Sequence, residues 1–135
     1  MHRGLFVWIS ICYGVLQMSG KRIFITGIAG FLGSHIADRC LAEGYRVSGC
    51  DNLSGGYLDN VPQGAEFHQI DCNDFPSLAV LLKDVDVVYH CAATAYEGLS
   101  VFSPHLVTRN VVTATTGVVS AAAAGGARGD PQAAG

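Results

Sequence analysis

From Lys21 onward, short apolar runs alternate with stretches of helical periodicity. Arg22-Ile23-Phe24-Ile25-Thr26 is a continuous run of the kind expected of a strand covered on both faces. From Phe31 to Glu43, Leu32, Ile36 and Cys40 recur at helical spacing with Ala37 beside them, while Ser34 and Asp38 lie opposite. That predicts an amphipathic helix, with Gly44 as its stop. Tyr45–Cys50, Glu66–Ile70 and Val85–His90 predict three further strands. Asp74 is suited to cap a short helix running to about Lys83, with Pro76 in its first turn. A last helix is predicted from near Pro104. Val107, Val111, Ala114, Val118, Ala121 and Ala122 form its apolar stripe, and Thr113, Thr116 and Ser120 lie across from it. Strands alternating with helices imply parallel βαβ units with right-handed crossovers. The expected fold class is therefore α/β, a parallel sheet of about four strands flanked by helices.

The two ends do not share this pattern. Residues 1–17 are almost wholly apolar after Arg3, too short to span a bilayer comfortably, where about 20 apolar residues are needed. They read as a non-native or upstream-translated extension, with a targeting or membrane-associated segment as the alternative. Met18-Ser19-Gly20-Lys21 then leads into the first strand as a natural start would. Residues 125–135 are rich in Gly and Ala without periodicity and read as a disordered tail, in which Arg128-Gly129-Asp130 carries no meaning of its own. A single domain over 18–124 is expected between them.

Composition narrows the chemistry. With 8 basic and 11 acidic side chains, a net charge of -3 and no basic cluster, neither nucleic acid nor an anionic membrane is an expected partner. Five cysteines stand singly, without a CxxC pair, so neither a disulfide framework nor a bound metal is expected. They read as small buried hydrophobes in a reducing, cytoplasmic setting.

The most specific segment is Thr26-Gly27-Ile28-Ala29-Gly30-Phe31-Leu32-Gly33-Ser34-His35, three glycines between a strand and a helix. Gly27 suits a tight turn, Gly30 lets the backbone approach a pyrophosphate, and Gly33 lets helix and strand pack closely. The amide groups at the helix N-terminus would face the phosphates. A glycine triplet alone also fits an ordinary turn. Here an acid, Asp51, follows 24 residues after Gly27 at the end of the second strand. A carboxylate there can accept from both adenosine ribose hydroxyls and would repel a 2′-phosphate, which favours NAD over NADP. Its plainer reading is a solvated turn aspartate. Together these features make the sheet a partial Rossmann fold, with strand order 3-2-1-4 where a complete sheet has about six strands.

Further matches follow the same frame: Asp51-Asn52-Leu53-Ser54-x-Gly56, Asp71-Cys72, His90-Cys91-Ala92-Ala93, and Asn110 six residues after Pro104. With the glycine segment, they make residues from Lys21 to about Ala123 resemble the extended short-chain dehydrogenase/reductases. Within that family the resemblance is to NAD-dependent nucleotide-sugar epimerases and dehydratases of the UDP-glucose 4-epimerase kind. It implies NAD as cofactor, held by Gly27, Gly30, Phe31, Leu32 and Gly33, by Asp51 and Asn52, by Asp71 and Cys72 at the adenine, and by Cys91, Ala92, Ala93 and Asn110. Tyr96 falls in the loop that borders the substrate. A nucleotide sugar is the implied substrate and a homodimer the implied assembly of full-length relatives. Their reaction oxidises the sugar with NAD, inverts or eliminates, then reduces with the NADH formed. Asp71 could equally cap a turn, Ala92-Ala93 could serve helix packing, His35 reads as a surface side chain, and His90 reads as structural.

The departures point the other way. The family's Tyr-x-x-x-Lys pair is absent: the only lysines are Lys21 and Lys83, and neither follows a tyrosine by four residues. Thr113-Ala114 stands where the family has Gly-Thr, and neither the fifth strand nor the substrate domain is recognisable. The expectation is a truncated NAD-binding portion with no catalytic residue, weak dinucleotide binding and an exposed fourth-strand edge. A non-catalytic NAD-binding module and an inert fragment are the alternatives.

Overall fold

Alternation along one strand organises the whole core. In the computed structural model, which describes residues 20–94 and 98–125, β1 (Arg22–Thr26) is flanked by strands on both edges. Phe24 points to one face, into a cluster with Leu78, Leu82, Val118 and Ala121. Ile23 and Ile25 point to the other, against Ile28, Ala37, Cys40 and Val47. A strand buried on both faces has no exposed positions to alternate along its middle, which is why Ile23, Phe24 and Ile25 form an unbroken apolar run. β2 (Arg46–Cys50), β3 (Glu66–His68) and β4 (Val87–His90) complete a parallel sheet in the order β3-β2-β1-β4. The register sets Thr26 opposite both Cys50 and His90, and Cys50 opposite His68, so the carboxyl ends of all four strands stand level.

The strands are shorter than the apolar runs suggest, for local reasons. Tyr45 is drawn into the end of the preceding helix, where its N–H donates to the Cys40 carbonyl and the Gly44 N–H to that of Leu41. Ile70 turns back to donate to His68, and Val85 donates to Leu82 across a turn in which Asp84 has φ 60.

Helix α1 (Phe31–Ala42) forms where predicted but turns a different face to the sheet. Its buried residues are Gly33, Ser34, Ala37 and Cys40, while Leu32 is 60% exposed. Gly33 lies flush against the Gly27 backbone, and so close an approach selects the small side chains. Ser34 is tolerated there because its hydroxyl donates to the Phe31 carbonyl at 3.0 Å.

α2 (Phe75–Leu81) starts on Asp74, which accepts the Ser77 N–H at 3.3 Å and the Ser77 hydroxyl at 2.6 Å. Asp74→Ala is expected to cost about 1 kcal/mol, the usual worth of such a cap. Urea unfolding would show it as a lower midpoint with an unchanged slope.

Three helical pieces follow the short α3 (Leu99–Phe102): α4 (Pro104–Thr108), a π-helical turn (Arg109–Thr113) and α5 (Ala114–Gly125). Ala114, Val118 and Ala121 are buried as the stripe predicts, and Thr113, Thr116 and Ser120 are exposed. Val111 is exposed instead, because the wider π turn shifts the face N-terminal to Ala114 out of phase.

Residues 1–19, with the apolar leader and Cys12, and residues 126–135 lie outside the described residues. Among the described residues no helix is long and apolar enough to cross a membrane. Cys40, Cys50, Cys72 and Cys91 are free thiols.

Candidate functional site

The level strand ends leave a cleft of about 280 Å³ at the carboxyl edge of the sheet, where parallel α/β sheets bind ligands. Its walls come from the glycine turn, the loop after β2, the loop after β3, the loop after β4, and the π turn.

The turn is built by close backbone contact. Gly27 has φ 71, and a Cβ there would meet the Ala92 and Cys91 backbone at 2.8–2.9 Å. The Gly27 and Ile28 N–H groups both donate to the Cys50 carbonyl, at 2.7 and 3.3 Å, which seats the turn on the end of β2. A Cβ on Gly33 would lie 2.1 Å from the Gly27 carbonyl oxygen. Gly30 differs: its Cβ would meet only that same oxygen, at 3.2 Å, and Gly30 faces the cleft. The turn thus needs Gly27 and Gly33 for its own packing, whereas Gly30 leaves room for something else. Ser34 is the first residue of α1 to donate back along the helix, to Gly30 at 3.1 Å. The N–H groups of Phe31, Leu32 and Gly33 therefore have no acceptor within the helix. The side chains of Phe31 and Leu32 point into solvent, and neither they nor Gly33 line the cleft, so any contact they make with an anion is through the main chain.

Asp51 is 9% exposed and lines the same cleft. Its Oδ2 accepts the Ala29 N–H at 3.1 Å and its Oδ1 the Leu53 N–H at 2.8 Å. The acid is thereby tied to the glycine turn, and each oxygen retains a lone pair for a ligand hydroxyl. Leu53 holds φ 59, a left-handed conformation unfavourable for leucine, on the strength of that bond. The loop then folds over the turn, with Tyr57 N–H and Asn60 Nδ2 both donating to the Ala29 carbonyl.

Across the cleft, Asp71 accepts the Asn73 N–H and amide, each at 2.8 Å, and the Asn52 amide at 3.2 Å, with the Arg109 guanidinium 4.0 Å away. Partial burial pulls its carboxyl upward, but these donors outweigh burial and hold it below the ordinary carboxylate range. Asn52 itself lines the cleft beside Asp71. Cys72 is buried at the cleft floor.

Cys91, Ala92 and Ala93 form the wall after β4. Thr26, not singled out from the sequence, fixes that wall. Its Oγ1 accepts the Cys91 and Ala92 N–H groups, both at 3.2 Å, so its own hydrogen goes to His90 Nδ1, 2.7 Å away. His90 is then the Nε2–H tautomer, donating to Thr115 Oγ1 at 2.9 Å, and that hydroxyl donates to the Val111 carbonyl. Through these bonds His90 links the sheet to α5 and, by way of Thr115, to the π turn. Asn110, in that turn, lines the cleft and donates to Thr94 Oγ1 at 2.9 Å. Burial lowers the His90 pKa, so its contribution to stability is complete above about pH 6.5 and is lost as pH falls through the lowered folded value. Urea midpoints measured from pH 8 to 5 should drop more steeply for the native chain than for His90→Gln.

Ser54 and Gly56, both within the Asp51–Gly56 motif, also line the cleft, as do Gly55, Ile70, Asn73, Thr94 and Ala114, to which the sequence assigned no site role. Tyr96 lies outside the described residues, and His35 sits exposed on α1, bonded to the Phe31 carbonyl. Among the described residues no group of three or more His, Cys, Asp or Glu converges on a point where a metal could sit.

Comparison with known proteins agrees with this geometry. The NAD dependent epimerase/dehydratase family matches residues 23–130. UDP-arabinose 4-epimerase 1 of Arabidopsis thaliana is 35% identical over 117 residues, covering 78% of this chain and 28% of the relative. UDP-glucuronic acid decarboxylase 2 of the same plant is 32% identical over 113 residues, covering 84% and 25%. The crystal structure of the Thermus thermophilus UDP-glucose 4-epimerase complex with NAD superposes with a TM-score of 0.75 at 33% identity, over 79% of this chain and 35% of that one. The chain spans about a quarter of the length of the curated relatives it matches. With a family match over most of its length and a fold shared with solved epimerase structures, the chain belongs to the NAD dependent epimerase/dehydratase family.

Proposed function

We propose that this chain binds NAD in the cleft and represents the dinucleotide-binding part of a nucleotide-sugar epimerase or dehydratase. The observation that carries this reading is the bond from the Ala29 N–H to Asp51 Oδ2, which holds the glycine turn and the acid in one rigid unit. The pyrophosphate lies over Gly30 and the free amides of the first turn of α1. Asp51 accepts from the adenosine ribose, Asp71 and Cys72 flank the adenine, and Cys91, Ala92, Ala93 and Asn110 follow the cofactor toward its other end. NAD bound there supplies reversible hydride acceptance, and the protein supplies position and charge. Gly30 supports this fit, because the space beside it is the space that a side chain would fill.

The substrate class, a nucleotide sugar, is supported by the relatives' names, which include epimerases and decarboxylases of UDP-sugars. A cytoplasmic setting fits the free thiols, and the whole enzyme is expected to work as a homodimer without metal or nucleic acid. With no tyrosine followed four residues later by lysine, this chain on its own is expected to hold the dinucleotide without turning over substrate.

Calorimetric titration of the 135-residue chain with NAD and NADP tests the binding. Saturable NAD binding is expected, with NADP at least about tenfold weaker because its 2′-phosphate meets the Asp51 carboxylate. Equal affinities, or none for NAD, would contradict the proposal. Conversion of UDP-glucose to UDP-galactose by the chain alone would contradict the lack of turnover.

A further inference from the structure

We propose that Cys50 and Cys72 form a peroxide-oxidisable thiol pair in the floor of the nucleotide cleft, with Cys72 as the attacking sulfur and Cys50 as the resolving one. The two lie 22 positions apart in the chain, yet their Sγ atoms stand 3.9 Å apart in the core between the sheet and α2 and α5. A disulfide requires about 2.05 Å, so the sulfurs must approach by roughly 1.9 Å. Cys50 is held at the end of β2 by its register with Thr26 and His68, and by a carbonyl that accepts two N–H groups of the glycine turn. Cys72 lies outside the sheet, in the short link between β3 and α2, where no strand register fixes its position.

Their exposures differ in the direction the roles require. Cys50 is fully buried, whereas Cys72 is 8% exposed and forms part of the cleft surface. Of the two residues, Cys72 is the one that borders the cleft, and Cys50 lies beneath it. A hydrogen bond in which either thiol can donate already links the two sulfurs.

The chemistry balances with a hydroperoxide as the two-electron oxidant. The Cys72 thiolate attacks the distal peroxide oxygen, the O–O bond breaks, and hydroxide leaves, which gives a sulfenic acid. Cys50 sulfur then attacks Cys72 sulfur. The S–O bond breaks, and the departing hydroxide takes the Cys50 proton to leave as water. Each cysteine stands next to a cleft carboxylate, Cys50 before Asp51 and Cys72 after Asp71, so the new bond ties together the two acids facing the adenosine. A bound adenine covers Cys72, and NAD is therefore expected to protect the pair. That protection rests on the NAD reading above; the pairing itself does not.

The test treats the full chain with hydrogen peroxide, with and without NAD, and follows intact mass and peptide maps. Trypsin leaves both cysteines in the peptide 47–83, and cleavage after Glu66 separates them. The expected product is a Cys50–Cys72 linkage, seen as a loss of about 2 Da that a reductant reverses. Saturating NAD at about ten times its Kd should slow its formation about tenfold, since only the unliganded form reacts. Cys50→Ala should stop at the Cys72 sulfenic acid, trappable with dimedone. Peroxide consumption at Cys40 or Cys91 without the linkage would overturn the proposal. So would formation at an unchanged rate in a sample shown by calorimetry to be NAD-saturated. Linkage in a chain that binds no NAD would uphold the pair and remove the binding assignment alone.

Discussion

Gly33→Ala is expected to destabilise the chain by about 3 kcal/mol or more. The added Cβ would sit 2.1 Å from the Gly27 carbonyl oxygen and 2.8 Å from its carbon. Overpacking of a well-filled site ordinarily costs about 1–3 kcal/mol, occasionally more, as side chains and backbone shift to make room. Here the obstructing atoms are backbone. They belong to a turn whose own N–H groups are bonded to the Cys50 carbonyl and whose other side abuts Ala92. Relief therefore means moving α1 off the sheet or pulling the turn off β2, and either exposes the cluster of Ile23, Ile25, Ile28, Ala37 and Val47. Against a total stability of about 5–15 kcal/mol, the variant should lose on the order of 10 °C in melting temperature. Gly30→Ala is the control, because its Cβ meets one atom at 3.2 Å. It should unfold within about 1 kcal/mol of the native chain and yet bind NAD more weakly, since the methyl occupies the phosphate side of the turn. Equal destabilisation by the two substitutions would show that the turn's packing has been misjudged.

Asp51→Ala is expected to lower NAD affinity by about two orders of magnitude. Two charge-assisted hydrogen bonds to ribose hydroxyls are worth about 1.5–3 kcal/mol each, so losing both costs about 3 kcal/mol or more. The same change removes the acceptor of the Ala29 and Leu53 N–H groups. Leaving such a buried donor unpaired costs about 1–3 kcal/mol of stability. Two readouts separate these effects. Stability should fall in the ligand-free chain, whereas the preference for NAD over NADP should shrink as well, because the charge that repels a 2′-phosphate is gone. A variant that lost stability but kept its cofactor preference would make Asp51 a purely structural residue.

The glycine segment and the strand pattern were readable in advance because each reports a constraint confined to a few neighbouring residues. A strand buried on both faces selects apolar side chains along its middle, here Ile23 to Ile25, and a backbone-to-backbone approach such as Gly33 on Gly27 admits only glycine. The face of α1 was not readable. Leu32 is the apolar residue of its turn, but the sheet is approached through Gly33, and contact at that distance selects size over hydrophobicity. The π turn over Arg109–Thr113 left no mark in the stripe either, since its extra residue changes phase without changing composition. Thr26 shows the limit of motif reading at the site. Its hydroxyl organises Cys91, Ala92 and His90, residues 64 to 66 positions away, and only the register of β1 with β4 brings them together. Asn73 and Arg109, which hold the Asp71 carboxylate, are likewise invisible without the fold.

The most direct measurement is a crystal structure of the chain grown with NAD. The expected map places the pyrophosphate oxygens within hydrogen-bond distance of the main-chain N–H groups at the start of α1, and both adenosine ribose hydroxyls on the Asp51 carboxylate. Dinucleotide density elsewhere on the molecule, or an adenosine in the cleft with its ribose turned away from Asp51, would contradict the assignment of this cleft.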